Sequence, residues 1–321
     1  MLIIAHRGAS ADRPEHTLDA YALAVEQGAD VIEPDLVITR DGHLVARHEN
    51  EISGTTDVAS RPAFSDRRTT KCVDGRDVTG WFAEDFTLDE IKALRAVERL
   101  PDLRPHNTAY NGQFEVPTFD EILALADALG HARGRPVGVY PETKHPSYAR
   151  RIGLPLEEPL VAALHARGLD GHDDPVWIQS FEVGNLRRLR SMTGLRLVQL
   201  AEPGNAPADV PGCPYESMLT PSGLAEIATY ADAIGVAIPL VLDPATLAPT
   251  QLVADAHAVG LAVHVWTVRP ENAFLPPQLR SLGPPSAHGD LASLARALAT
   301  TGADGVFTDA PSSTLRVLDA D

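Results

Sequence analysis

Short apolar runs recur along this chain, separated by longer segments whose apolar residues return at intervals of three and four. The runs are "LIIAH", "VIEPDLVI", "VGVYPET", "VWIQSF", "RLVQL", "AIGVAIP", "AVHVWTV" and "GVFTD". Their density of Val and Ile suits strands buried on both faces, as in a parallel sheet. The segments between them read as helices. "TLDAYALAVEQG" places Thr17 as N-cap, Leu18, Tyr21, Ala22 and Val25 on one face, and Gly28 as the stop. "TFDEILALADALG", "PLVAALHARG", "VGNLRRLRSMTG", "TQLVADAHAVG" and "LASLARALATTG" repeat the pattern. Eight strands alternating with helices predict an α/β fold, a (β/α)8 TIM barrel; a doubly wound open sheet is the alternative that periodicity leaves open.

One interval breaks the rhythm. From Glu49 to Pro117 the chain is rich in Asp, Thr, Gly and Arg, with one helical stretch at "TLDEIKALRAV". Of the 321 residues, 252 remain when these 69 are set aside, close to the size of about 250 usual for such a barrel. The expected organisation is one barrel domain over 1–321, with a cap region, 49–117, inserted after the second strand.

Composition narrows the partners. The 44 acidic residues against 27 basic ones leave a formal net charge of −17. That balance argues against a grip on nucleic acid or on an anionic membrane surface. An anionic substrate would need local positive charge or a metal to overcome the general field. Cys72 and Cys213 are too few for a disulfide framework or a Cys-rich zinc pattern, and read as two unrelated thiols. No apolar run approaches membrane-spanning length. The first strand starts at residue 2, leaving no charged leader or cleavage site, so the chain reads as cytoplasmic; a mature secreted form would look the same. Oligomeric state is not legible.

In barrels of this kind the chemistry sits at the carboxyl ends of the strands. Here those ends are polar: His6 and Arg7 on the first, Glu33 and Asp35 on the second, Glu142 and Lys144 on the third, Gln179 and Ser180 on the fourth, Trp266 on the seventh, Thr308 and Asp309 on the eighth. Glu33 and Asp35, two apart, point to one face, and Glu142 and Lys144 repeat the spacing. Crowded like charges repel unless a proton or a cation intervenes. Three carboxylates with no nearby Cys favour a hard divalent cation, Mg²⁺ or Ca²⁺, over zinc; rim salt bridges to arginine are the plainer alternative. Asp41-Gly42 between two β-like runs predicts a two-residue hairpin in which Arg40 faces His43 and Asp35 faces His48. That register carries His48 back to the carboxylates, and a one-residue slip would turn it away. Two histidines, His6 and His48, then share a rim with Arg7 and Lys144. An imidazole titrating near neutrality can take or give a proton, and the cations suit a phosphoryl oxygen gaining charge. Together these residues describe metal-assisted cleavage of a phosphate ester.

The same residues carry a resemblance. "AHRGAS…PEHTLDAYALAVEQGADVIEPDLVITRDGHLVARHE" resembles the opening signature of the glycerophosphodiester phosphodiesterases, and the likeness continues through "TGWFAEDFTLDEIKALRA", "PETK", "WIQSF", "VHVWTV" and "GADGVFTDAP". The resemblance implies a (β/α)8 barrel with a small insertion after strand two. It also implies Mg²⁺- or Ca²⁺-dependent hydrolysis of glycerophosphodiesters to glycerol 3-phosphate and an alcohol. By motif, His6 and His48 would be the acid–base pair, Glu33, Asp35 and Glu142 the metal ligands, and Arg7 and Lys144 the phosphate grip. Trp266 would pack against the glycerol moiety, and Glu15 corresponds to the "PE" step. Two positions depart from the common pattern: His48-Glu49 stands where "HD" is usual, and Arg269 follows "VWTV" where Asn is common, which suggests a more anionic substrate. Two other readings keep the residues and change the role: a phospholipase D-like enzyme acting on a lysophospholipid, and a non-catalytic binder of phosphate ligands.

Overall fold

Every one of the eight apolar runs forms strand in the computed structural model, which describes residues 1–318. β1 spans Leu2–His6. The second run is broken at Pro34 into β2 (Val31–Glu33) and β3 (Asp35–Ile38), followed by the short β4 (Leu44–Ala46). A separate ribbon, β5 (Thr69–Val73) and β6 (Arg76–Gly80), precedes the third run, itself broken into β7 (Gly138–Val139) and β8 (Glu142–Thr143). β9 (Trp177–Ser180), β10 (Arg196–Ala201), β11 (Ala233–Ala237), β12 (Ala262–Val268) and β13 (Gly305–Thr308) complete the set.

Parallel pairing closes the ring. β1 pairs with β2, β2 with β7, and β3 with β8; β8 to β13 then follow in order, and β13 returns to β1 with Leu2 opposite Gly305. The fold is a TIM barrel. The two breaks have one cause. Pro34 and Pro141 have no amide to give the ladder, yet each carbonyl still accepts from the next strand, Glu142 N–H onto Pro34 and Gln179 N–H onto Pro141, both at 2.9 Å. Proline inside the second strand is thereby accommodated, and the side-chain alternation continues across it.

That alternation sorts the strands into two faces. Ile3, Ala5, Ile32, Leu36, Ile178, Leu197, Val263 and Val306 point outward into the main core beneath the helices. Ile4, Val31, Tyr140, Trp177, Val198, Ala233 and Phe307 fill the barrel interior. Two residues further along the same inward rows stand His6, Glu33, Glu142, Gln179 and Asp309. The interior is thus apolar at one end and polar at the other, within single strands.

The six helices read from the sequence form at Leu18–Glu26, Phe119–Arg133, Glu157–His165, Val183–Arg190, Leu252–Ala258 and Leu291–Thr300. The second is held by a Thr118–Glu121 capping box and runs through Gly130 to stop at Gly134, whose φ is 71°. Short helices at Pro146–Arg151, Pro221–Ile227 and Pro311–Leu318 were not expected. Each opens on proline, a start signal, but spans too few turns for periodicity to show.

The hairpin after β3 departs from the expected register. Leu36 pairs with Ala46 and Ile38 with Leu44, so the loop has three residues, Arg40–Gly42, and Asp35 lies opposite Arg47, not His48. Gly42, at φ 85°, supplies the left-handed third position, and Asp41 is engaged by the Thr39 hydroxyl and the Leu88 amide. Between β4 and the helix Phe119–Arg133, Ile52, Val58, Phe86, Ile91 and Leu94 pack with Val37 and Val45 in a cluster of their own. The helix expected over "TLDEIKALRAV" ends at Ala93, because residues 95–97 run extended and bond to residues 55–57.

Gly8 turns the chain out of β1 at φ +88°, and a Cβ there would lie 2.7 Å from the Ala20 carbonyl carbon. Gly8→Ala is therefore expected to destabilise the protein by about 2–4 kcal/mol, from backbone strain and overpacking together. Urea unfolding checks this, and a cost within about 0.5 kcal/mol would contradict it.

Candidate active site

A cavity of about 1020 Å³ opens at the polar end of the barrel, lined among others by His6, Arg7, Glu33, His48, Glu142, Lys144 and Trp266. Of the eight residues given a catalytic, metal-binding or substrate-binding role from the sequence, seven line this cavity and Asp35 does not. It nevertheless belongs to the centre. Glu33, Asp35 and Glu142 are all buried, and each offers a carboxylate oxygen within 4.8 Å of the others.

The polar neighbours of this trio explain how the chain tolerates it. Glu33 accepts the Arg7 backbone N–H on one oxygen and the Gln179 side-chain amide on the other, both at 2.9 Å. Asp35 takes His16 Nε2 at 2.9 Å and faces Arg7 Nε at 3.3 Å. Lys144 Nζ donates to Glu142 at 2.9 Å. Burial opposes charge on Asp35, yet Lys144, Arg7 and His16 hold its carboxyl well below the usual range. Glu33 goes the other way: burial, then Asp35 and Glu142, raise it well above the ordinary value. Burial, only partly offset by Lys144, together with Asp35, pushes Glu142 up to about 8. Three hard oxygen donors with more negative charge than Arg7 and Lys144 neutralise make a donor set that fits a divalent cation such as Mg²⁺ or Ca²⁺.

Each histidine is held by one ring nitrogen. His6 Nδ1 lies 2.6 Å from Asp309, and His48 Nδ1 lies 3.0 Å from Glu49. Burial first, then Arg7, lowers His6 to about 3; burial, Arg7 and Lys144 lower His48 to about 4. Both are thus neutral at neutral pH in the resting protein, below the near-neutral titration expected from the sequence. His48 reaches the cavity although the hairpin register is slipped by one. β4 ends at Ala46, and beyond it the strand alternation no longer governs where side chains point. Arg47 takes the inward place opposite Asp35, with its guanidinium on the Glu15 and His16 carbonyls at 3.3 Å.

Several supporting residues escaped the sequence reading. The sequence marks Asp309 only as a strand end; in the structure it anchors His6, Arg104 at 2.5 Å and Arg269 at 3.0 Å. Arg104 is almost fully buried and also binds Glu271 at 2.6 Å. Arg269 is therefore committed to Asp309 and stacks on Phe274, which removes the inference of a more anionic substrate from that position. Glu15 sits between Arg7 and Arg99, at 3.3 and 2.8 Å. Arg99 and Arg104 lie in an irregular segment where no periodicity could mark them; His16, beside Glu15 in "PEHT", was the one adjacent to a signal. Trp266 packs edge-on to Phe181 at 6.1 Å, with its indole nitrogen buried and unpartnered.

Comparison with known proteins identifies the family of the chain. Residues 6–313 match the glycerophosphoryl diester phosphodiesterase family. A glycerophosphodiester phosphodiesterase of Arabidopsis thaliana is 35% identical over 95% of this chain and 82% of its own length. One of Haemophilus influenzae is 30% identical over 99% of this chain and 89% of its own. A phosphodiesterase of Oleispira antarctica, solved in complex with the product sn-glycerol 3-phosphate, superposes with a TM-score of 0.64 at 21% identity, covering 99% and 97% of the two chains; at that identity it supports the fold.

The charge balance predicts a site that destabilises the metal-free protein. Glu33 has a folded-state value raised above its unfolded one, so the stability it contributes is present at low pH and is lost as pH rises above the ordinary carboxylate value. Glu33→Gln is expected to raise the Tm of the metal-free protein at pH 8; if the three carboxylates hold a divalent cation, added Mg²⁺ should raise the Tm of the wild type and not that of the variant. A lower Tm in the variant, or an undiminished Mg²⁺ response, would contradict this account.

Proposed function

The chain belongs to the glycerophosphoryl diester phosphodiesterase family and is a phosphoric diester hydrolase, and from that premise we propose how its own residues carry out the reaction. The substrate on this reading is a glycerophosphodiester, released as sn-glycerol 3-phosphate and an alcohol. The observation that carries it is the meeting of His6, His48, Arg7 and Lys144 around one cavity with three carboxylates whose oxygens lie within 4.8 Å.

Glu33, Asp35 and Glu142 would hold a divalent cation. Bound there, it supplies Lewis-acid polarisation of a phosphoryl oxygen. Arg7 and Lys144 make the approach of a phosphodiester anion favourable in a protein of net charge −17. Asp309 and Glu49 each accept from a histidine Nδ1–H, which leaves the two Nε2 atoms as the proton-handling positions. In the resting protein both imidazoles are in the form of a base. The bound phosphodiester adds negative charge opposite Arg7, the cation that depresses both, and so favours the proton one of them needs as the acid. One then activates the nucleophile and the other protonates the leaving alcohol. Trp266 and Phe181 offer an apolar wall for a carbon skeleton. Segment 49–117 acts as a cap in this scheme: Asn50, Glu51, Asp74 and Arg76 line the cavity, and Arg99 and Arg104 brace Glu15 and Asp309.

The test is release of sn-glycerol 3-phosphate from glycerophosphocholine by metal-stripped protein, with Mg²⁺, Ca²⁺ or neither added. Activity is expected to return with metal and to fall by about 10²–10⁴-fold in His6→Ala and in His48→Ala. No release from the wild type with either cation, or full activity in both variants, would overturn the reading.

A further inference from the structure

The second histidine is held by more than its neighbour. Glu49 Oε1 meets His48 Nδ1 at 3.0 Å, and Glu49 Oε2 meets His145 Nε2 at 2.8 Å. His145 Nδ1 in turn lies 2.5 Å from Asp74. Carboxylates and imidazoles therefore alternate along one line: Asp74, His145, Glu49, His48. Both ring nitrogens of His145 face carboxylate oxygens, so both carry protons, and the ring is the cation between two anions. Its αL backbone, φ 48°, sits directly after Lys144 where the third strand leaves the barrel. Asp74 occupies the tip of the β5–β6 ribbon, in a two-residue Asp74-Gly75 turn with φ 47° and 77°. The line thus runs from the ribbon tip, across the rim, to His48.

We propose that Asp74 and His145 are positioning residues for His48, acting through Glu49. His145 fixes one oxygen of Glu49, so the other is presented to His48 Nδ1–H and the imidazole keeps Nε2 toward the cavity. The glutamate at 49 is what makes the span. An aspartate, shorter by one C–C bond of about 1.5 Å, would reach one histidine and lose the other. The device also makes the orientation of His48 depend on the ribbon lying against the rim, because Asp74 is the far anchor. This inference rests on the phosphodiesterase reading above, in which His48 handles a proton.

The experiment measures kcat and KM for glycerophosphocholine with Mg²⁺ in Asp74→Ala, His145→Asn, Glu49→Asp and the double variant Glu49→Asp/His145→Asn. Asparagine tolerates the αL backbone at 145. Each single variant is expected to lose about 10-fold or more in kcat, the scale seen when the partner behind a functional side chain is removed, with KM changed by less than about 3-fold. The double variant should be no worse than the worse single one, because both break the same link. Asp74→Asn, which keeps an acceptor oxygen, should recover part of the Asp74→Ala loss. Nitrogen-15 spectra of the histidines in the metal-free protein give a second readout: His48 is expected as the Nδ1–H tautomer in the wild type and as a mixture in His145→Asn. Unchanged kcat, a loss confined to KM, additive losses in the double variant, or an unaltered His48 tautomer would overturn the positioning role. A wild type that releases no sn-glycerol 3-phosphate would instead condemn the phosphodiesterase reading, and this role with it.

Discussion

Three carboxylates buried within 4.8 Å of one another are the constraint around which the polar end of this barrel is organised. Unscreened, such a cluster is costly, since burial and mutual repulsion both disfavour charge. The chain answers with donors placed one by one: the Arg7 backbone and Gln179 for Glu33, His16 and the Arg7 guanidinium for Asp35, Lys144 for Glu142. These leave Glu33 and Glu142 with raised values, so the compensation is partial. A divalent cation completes it on the proposed reading, and the residual imbalance is what would bind that cation. Function and local instability then have the same origin.

The histidines show a parallel arrangement. Each gives its Nδ1 to a carboxylate, and each carboxylate is held from behind by cations: Asp309 by Arg104 and Arg269, Glu49 by His145. Arg104 comes from the 49–117 segment, and Asp74 at the ribbon tip anchors His145. Both histidines therefore take support from outside the barrel, which gives that irregular segment a place in the chemistry on the account proposed here.

The barrel was legible because its signal is local. Val- and Ile-rich runs at regular spacing, with Gly or Pro at the boundaries, recur often enough that the eight strands stand out. The inward carboxylates were legible for the same reason: Glu33 and Asp35 share a face by the two-residue period, and Pro34 does not disturb it. The hairpin register was not legible. Asp41-Gly42 fits a two-residue turn as well as a three-residue loop, and the loop seen has Asp41 held by its neighbour Thr39 and by the amide of Leu88, 47 residues on and outside any local pattern. His48 lines the cavity because the strand stops early, so its expected place at the rim followed from the wrong geometry. Asp309, Arg99 and Arg104 act across contacts of 84 to 303 residues in the chain, beyond the reach of any spacing rule. The reading of Arg269 failed for the same reason, since its partner is a distant carboxylate.

The central claim is that Glu33, Asp35 and Glu142 together bind the divalent cation beside a phosphate gripped by Arg7 and Lys144, with His6 and His48 flanking it. A crystal structure with Mn²⁺ and sn-glycerol 3-phosphate, the metal located by its anomalous signal, tests this directly. The account predicts one anomalous peak within bonding distance of oxygens from all three carboxylates, about 2.0–2.3 Å, and the phosphate between it and the two cationic side chains. A peak elsewhere, or a phosphate that avoids both histidines, would contradict it.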